Sequence, residues 1–231
     1  MSSNYLLKYL DARFIGELLE PPPQHKGMVV TMSRDTGCDG MPILEEVQKN
    51  LNNDLKGINK KHPWSIVSKE IFEKSAKRLN VDVELFEKIE NQKDRSFVEE
   101  MLNSFSNESY PSDWKIKKTY REIIESVAKE GAVFILGRAG VAIVEHNKRN
   151  LHIKVTAPFE WRVKKLMKEY GSTEASAKKH ILRSDEKRDD LKKYYMGRKV
   201  HFSDYDVVFN EATLTKKQIA QAIQNIIQLK Q

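Results

Sequence analysis

Three short segments hold the residues whose types and spacing suit chemistry on an anion. The first is Thr31-Met32-Ser33-Arg34-Asp35-Thr36-Gly37-Cys38-Asp39-Gly40. An apolar run, Met28-Val29-Val30-Thr31-Met32, leads into it, and Ile43, Leu44, Val47 and Leu51 after it fall on one helical face. Strand, two-glycine loop and helix in that order present backbone N–H groups and a positive dipole end to an anion. The same order also makes ordinary structural turns, so this segment has two readings. In the first, Gly37 keeps space open for a phosphate that any branched side chain would strike. The second segment is Phe134-Ile135-Leu136-Gly137-Arg138-Ala139-Gly140. Its arginine lies just past the C-terminal end of a strand, the edge that faces the ligand crevice in open α/β sheets. The plainer alternative is an exposed arginine beside a turn. The third is Arg183-Ser184-Asp185-Glu186-Lys187-Arg188. Here Arg183 and Lys187 stand at i and i+4, and Asp185 and Arg188 at i and i+3. Of these, Asp185 and Arg188 are oppositely charged, and such a pair contributes about 0.2–0.5 kcal/mol on a solvated face; alternatively the guanidiniums present a fork to polyphosphate.

These segments need elements to position them, and the apolar periodicity supplies them. Buried-strand runs occupy residues 28–32, 132–136, 151–155 and 205–210. Helices fall at 43–51, at 114–129 before Gly131, and at 158–170, with Pro158 at the start and Gly171 at the end. A charged helix begins after Ser172-Thr173 and carries on through Lys193, and a closing amphipathic helix begins at Thr215. Strands alternating with helices predict a parallel sheet covered on both faces. Residues 2–19 read as a short amphipathic helix followed by the stiff Pro21-Pro22-Pro23 linker, and 82–105 as mostly helical. The organisation expected is an N-terminal helix and linker over 1–24, then one domain over 25–231. That domain carries a helical insert near 64–115 and a lid near 171–200.

Composition bounds the function classes. A chain of 231 residues with 39% hydrophobic and 32% charged residues suits a globular domain with a heavily charged surface. No run approaches the roughly 18 apolar residues of a membrane span, and no secretory signal is read at the N-terminus. The one cysteine, Cys38, excludes an internal disulfide framework, and a cytoplasmic location is expected. The net charge of +7 is spread along the chain with acids interleaved. It reads either as a lysine-rich solvated surface or as complementary to an anion, and a small phosphorylated ligand explains the distribution at least as well as nucleic acid. Cys38 reads as a small filler, the six histidines show no ligand spacing, and no metal site is expected. Trp64, Trp114 and Trp161 read as core or interface anchors.

Taken in order, these segments resemble the cytidylate kinase-like family of P-loop kinases from about residue 27 to 228. The matching features are Ser33-Arg34-Asp35-x-Gly37-x-x-Gly40, Ser68-Lys69-Glu70-Ile71 and Gly137-Arg138-x-Gly140. Arg162 opens the helix after the next strand, Arg183 to Arg188 resemble an RxDxxR lid, and Tyr194-Tyr195-Met196-Gly197 and 205–214 follow. The resemblance implies a P-loop NTPase-type three-layer α/β fold, with a central parallel sheet flanked by helices and a helical lid. It implies ATP as donor, with Mg²⁺ held mainly through nucleotide phosphates, nucleotides as partners, and a homodimer as one allowed assembly. Ser33, Arg34, Asp35, Thr36, Gly37, Cys38, Asp39 and Gly40 would cradle the donor's phosphates. Arg138 would contact the acceptor phosphate. Arg162, Arg183 and Arg188 would close over the transferring group, with Asp185 orienting the lid or an acceptor.

The chain departs from the GxxxxGK[ST] loop. Gly40 or Met41 stands at the lysine position and Pro42 at the hydroxyl position, while Ser68 replaces an aspartate usual in relatives. Three functions follow as expectations: a nucleoside monophosphate kinase with a degenerate loop, acting on a CMP-like acceptor; a nucleotide-binding regulatory module with little or no turnover; and, third in order, a nucleic-acid-binding protein using the +7 charge.

Overall fold

The computed structural model describes residues 27–54, 63–67 and 113–230. Five parallel strands form one sheet: β1 (Val29–Arg34), β2 (Ser65–Val67), β3 (Val133–Leu136), β4 (Leu151–Thr156) and β5 (Val207–Asn210), in the order β2-β3-β1-β4-β5. The helices are α1 (Met41–Asp54), α2 (Asp113–Glu130), α3 (Gly140–Ile143), α4 (Phe159–Tyr170), α5 (Glu174–Met196) and α6 (Lys216–Lys230). The four strands read from sequence all lie in this sheet, and the loop after β1 lies at its C-terminal edge. The N-terminal helix and linker, the 82–105 helix and Ser68-Lys69-Glu70-Ile71 lie outside the described residues.

Strand side chains alternate between the two faces, and each face finds its own cover. Val30, Met32, Phe134, Leu136, Leu151, Ile153 and Val155 pack with Ile43, Leu44, Val47 and Leu51 of α1 and Ile219, Ile223 and Ile227 of α6. On the opposite face Val29, Val133 and Ile135 meet Tyr120, Ile124 and Val127 of α2 and Ile143 of α3. The i, i+3, i+4 and i+7 spacing on these helices matches the apolar stripe that burial against a sheet requires. Each such side chain stabilises by about 1.5–3 kcal/mol when fully removed from water.

β2 is not among the strands the sequence predicts. It pairs with β3 from Ser65↔Val133 to Val67↔Ile135. Trp64 anchors it, buried with its ring 4.6 Å from that of Phe134. The Trp64 backbone also exchanges hydrogen bonds with the Gln48 and Asn52 side chains of α1.

α4 and α5 make a helical pair beside the sheet. Gly171 ends α4 in the left-handed conformation at φ 64°, donating its N–H to Met167 O at 2.9 Å. Thr173 caps α5 by accepting from Ser176 N. The two helices share a small apolar seam of Val163, Leu166, Ala177 and Ile181. Beyond that seam α5 buries only Tyr195. Polar contacts therefore carry much of its attachment. No helix among the described residues is long and apolar enough to cross a membrane.

Candidate functional site

The loop leaving β1 is fixed first by its backbone. Asp35 N donates to Val155 O and Cys38 N to Asp35 O, both at 3.0 Å, which turns the chain from β1 into α1. Gly37 sits at φ 94°, a left-handed region that side chains disfavour. A Cβ there would lie 2.8 Å from Leu166 Cδ1 and 3.1 Å from Arg162 Cβ. This corrects one expectation: the glycine makes room for α4, and a branched side chain would strike that helix. Gly40 has a comparable task. A Cβ on it would meet Leu136 Cδ1 at 2.6 Å and Arg34 Cδ and Nη1 at 3.0 and 3.3 Å. The Arg34 side chain thus crosses Gly40.

Arg162 and Asp185 form the centre of the site. Pro158 starts α4 so that Arg162, one turn in, points back at the loop; it is buried at 8% exposure. Its Nε donates to Ala157 O at 3.1 Å, and its Nη1 to Thr36 O at 3.1 Å and to Asp185 Oδ2 at 2.6 Å. The other Asp185 oxygen, Oδ1, accepts the Thr36 N–H at 2.7 Å. Arg188, one turn further along α5, donates to Thr36 Oγ1 at 2.9 Å and Arg34 O at 3.3 Å, with Asp185 Oδ1 3.8 Å away. The i,i+3 pair read from the sequence is therefore loose, and Arg188 is directed at the loop. Arg183 is exposed and takes no part in this network.

A second network holds the far side of the loop. Asp39 N donates to Glu211 Oε2 at 2.7 Å. Lys165 lies 2.8 Å from both Asp39 Oδ2 and Glu211 Oε1, and Lys216 is 3.1 Å from Asp39 Oδ2. Burial pushes the Asp39 carboxyl up, but hydrogen bonds from Lys165 and Lys216 outweigh it and hold the group below the usual carboxylate range. Burial lowers Lys165, and its bonds to Asp39 and Glu211 raise it further than burial depresses it. Asp35 follows the same logic. Burial is outweighed by Lys154, 2.6 Å from Oδ1, and by the Thr156 hydroxyl, so its carboxyl is also lowered. Cys38 contributes backbone only: its buried thiol is pushed up to about 12, chiefly by burial and then by Glu211. A thiol so protonated is no nucleophile, in line with the filler reading.

Ser33 is buried at the end of β1. Arg138 lies where the sequence puts it, just past β3, within an unusual backbone. Gly137, Arg138 and Ala139 are all left-handed, at φ 73°, 53° and 52°. Gly137 N donates to Met32 O at 2.8 Å, tying this turn to β1. Tyr195 of the Tyr194-Tyr195-Met196-Gly197 segment is structural. It stacks on Tyr120 at 5.6 Å, and its carbonyl accepts from Arg121.

The sequence reading misses Lys154, Thr156, Lys165, Glu211 and Lys216. Lys165 is i+3 from Arg162 on the same helix, and Glu211 directly follows β5 at the C-terminal edge of the sheet. Those two signals were present in the chain. The carboxylates of Asp35, Asp39 and Glu211 are each held by lysine. Among the described residues no group of three or more His, Cys, Asp or Glu is arranged to hold a metal ion.

Several known proteins are similar to this chain. The family model for the cytidylate kinase-like family matches residues 29–213. The crystal structure of an uncharacterized protein from Eubacterium ventriosum ATCC 27560 superposes with a TM-score of 0.59 at 19% identity, covering 88% of this chain and 99% of that one. A shikimate kinase from Bacteroides thetaiotaomicron gives a TM-score of 0.44 at 11% identity, over 87% of this chain and 98% of that one. A uronate isomerase from Corynebacterium glutamicum is 29% identical over 108 residues, 46% of this chain. The match spans 20% of that enzyme's own length.

Proposed function

Since the chain belongs to the cytidylate kinase-like family, we propose that it binds ATP at the 33–40 loop and transfers the γ-phosphoryl group to a nucleoside monophosphate, CMP-like in class, with slow turnover. The observation that carries this reading is the convergence of Thr36 N–H, buried Arg162 and Arg188 beside the loop at the C-terminal edge of the sheet. Phosphoryl transfer asks a protein for positioning and charge neutralisation more than for covalent chemistry. An acceptor phosphate oxygen attacks the γ-phosphorus, the bond to the β,γ-bridging oxygen breaks, and ADP leaves. Arg162 and Arg188 neutralise the charge on the transferring group. Arg138, past the neighbouring strand, holds the acceptor phosphate. Arg34, crossing Gly40, brings to the start of α1 the cation that the loop's missing lysine would otherwise supply.

The residues at the start of α1 do not offer magnesium a protein ligand. Met41 and Pro42 carry no ligand oxygen, and the nearby carboxylates are engaged by lysines. Mg²⁺ therefore enters on the nucleotide's own phosphates.

A coupled assay of ADP release across nucleoside monophosphates with ATP tests the proposal. Measurable turnover on a pyrimidine monophosphate supports it. ATP binding without turnover on any monophosphate would replace it by the second reading, a nucleotide-binding regulatory module, which Met41 and Pro42 favour. Failure to bind any nucleotide at millimolar concentration would remove both.

A further inference from the structure

The Asp185 carboxylate occupies the place of an anion. One oxygen takes a loop amide, Thr36 N–H, at 2.7 Å, and the other takes the Arg162 guanidinium at 2.6 Å. Arg188 stands 3.8 Å away and is fixed against the same loop through Thr36 Oγ1 and Arg34 O. An amide and a guanidinium on the carboxylate, with a second guanidinium 3.8 Å from it, are a donor set that suits phosphate oxygens. A carboxylate answers this set with two oxygens and one charge. A terminal phosphate answers it with three oxygens and up to two charges.

We infer that Asp185 is an internal occupant of a phosphate subsite, latching α5 to the loop, and that the terminal phosphoryl group of a polyphosphate binds by displacing it. The inference rests on the reading above that the loop binds nucleotide phosphates. Three further observations support it. α5 buries only Ala177, Ile181 and Tyr195, so the Asp185 and Arg188 contacts are its polar hold on the loop. The Asp185 side chain is 24% exposed and so open to a competing ligand, whereas that of Arg162 is 10% exposed. A guanidinium buried to that extent requires a counter-ion. Taking Asp185 away leaves Arg162 demanding one from outside.

The test is isothermal titration of inorganic tripolyphosphate and of ATP into the wild-type chain and Asp185→Asn at one fixed ionic strength. The variant is expected to bind tripolyphosphate at least tenfold more tightly. Its melting temperature should be lower than wild type without the ligand, and raised further by it. Equal or weaker binding by the variant, with ATP binding intact in the wild type, would overturn the inference and leave the kinase reading standing. No binding of either compound to either protein would overturn both. The wild-type chain gives a second readout that does not depend on how the variant folds. Saturating tripolyphosphate should move the Thr36 amide proton resonance and shift the Asp185 carboxyl carbon toward the position of a free carboxylate. If both resonances stay in place while tripolyphosphate binds, Asp185 is not displaced.

Discussion

Arg162→Met is the most informative single change, because methionine keeps most of the volume and removes the fork. The guanidinium makes three hydrogen bonds, to Ala157 O, Thr36 O and Asp185 Oδ2. Two of these involve backbone carbonyls that lose a partner, at about 1 kcal/mol each, and the third is a charged pair at about 1.5–3 kcal/mol. Breaking a fully buried ion pair costs about 3–5 kcal/mol, chiefly through the charge left behind. Here the Asp185 side chain is 24% exposed and keeps the Thr36 N–H, so water and that amide absorb part of the cost. The expected destabilisation is about 2–4 kcal/mol. At about 2–4 °C per kcal/mol for a domain of this size, the melting temperature falls by roughly 4–16 °C. Urea unfolding read by fluorescence and circular dichroism measures it, as a lower midpoint with an unchanged slope. Arg162→Lys should recover only part of the loss, because a single ammonium cannot reproduce the fork. A loss below about 1 kcal/mol would put Arg162 among ordinary surface pairs and refute the network as the joint between α4, α5 and the loop.

Other expectations are quicker to test. Gly37→Ala should destabilise by about 2–4 kcal/mol from left-handed strain plus the contact with Leu166, visible in urea unfolding without any nucleotide; a neutral result would mean a different loop conformation. Arg183→Ala, on an exposed residue outside the network, should change stability by less than about 0.5 kcal/mol. His152 is held down to about 4 by burial and then by His146, with its Nδ1 2.8 Å from Thr31 Oγ1. The unfolded ring gains its proton near 6.5 and the folded ring only near 4. Stability present above pH 6.5 should therefore drop by about 3 kcal/mol as pH falls to 4, and His152→Gln should flatten that slope in pH-dependent unfolding. Met41→Lys with Pro42→Thr should raise phosphotransfer in the coupled assay if the loop is a degraded phosphate cradle. The alternative placement, Gly40→Lys, should fail to fold well, because Leu136 and Arg34 fill the space.

The elements were legible where the chain repeats a physical pattern. The run 28–32 is buried on both sides because helices cover both faces, 151–155 shows a strand's period by alternating Leu151, Ile153 and Val155 with His152 and Lys154, and Gly171 stops α4 for a conformational reason visible in one residue. β2 was not legible: Ser65-Ile66-Val67 is too short to show a period and is a strand because β3 and Trp64 make it one. The site was half legible. Its loop and Asp185, Arg188 and Arg162 come from local spacing and resemblance. Arg183 lies outside the network because it stands two residues from Asp185, and two residues of helix turn side chains through about 200°. Lys165, Glu211 and Lys154 escaped because their contacts are tertiary, as with Asp39 and Glu211 at a separation of 172 residues.

That separation has a consequence for assembly. The Asp39 amide finds Glu211, and Asp39 finds Lys216, only after β5 has joined the sheet beside β4 and α6 has packed on α1. Closing so large a loop is entropically slow, and such contacts come late in folding. During synthesis, β1, β3 and β4 can pair while the loop still lacks its carboxylate partner. Until α6 arrives, Ile43, Val47 and their neighbours on α1 lack part of their cover. Function and solubility should therefore mature together, once α6 has emerged and packed, and a ribosome stalled near residue 205 would display a sheet without a finished site.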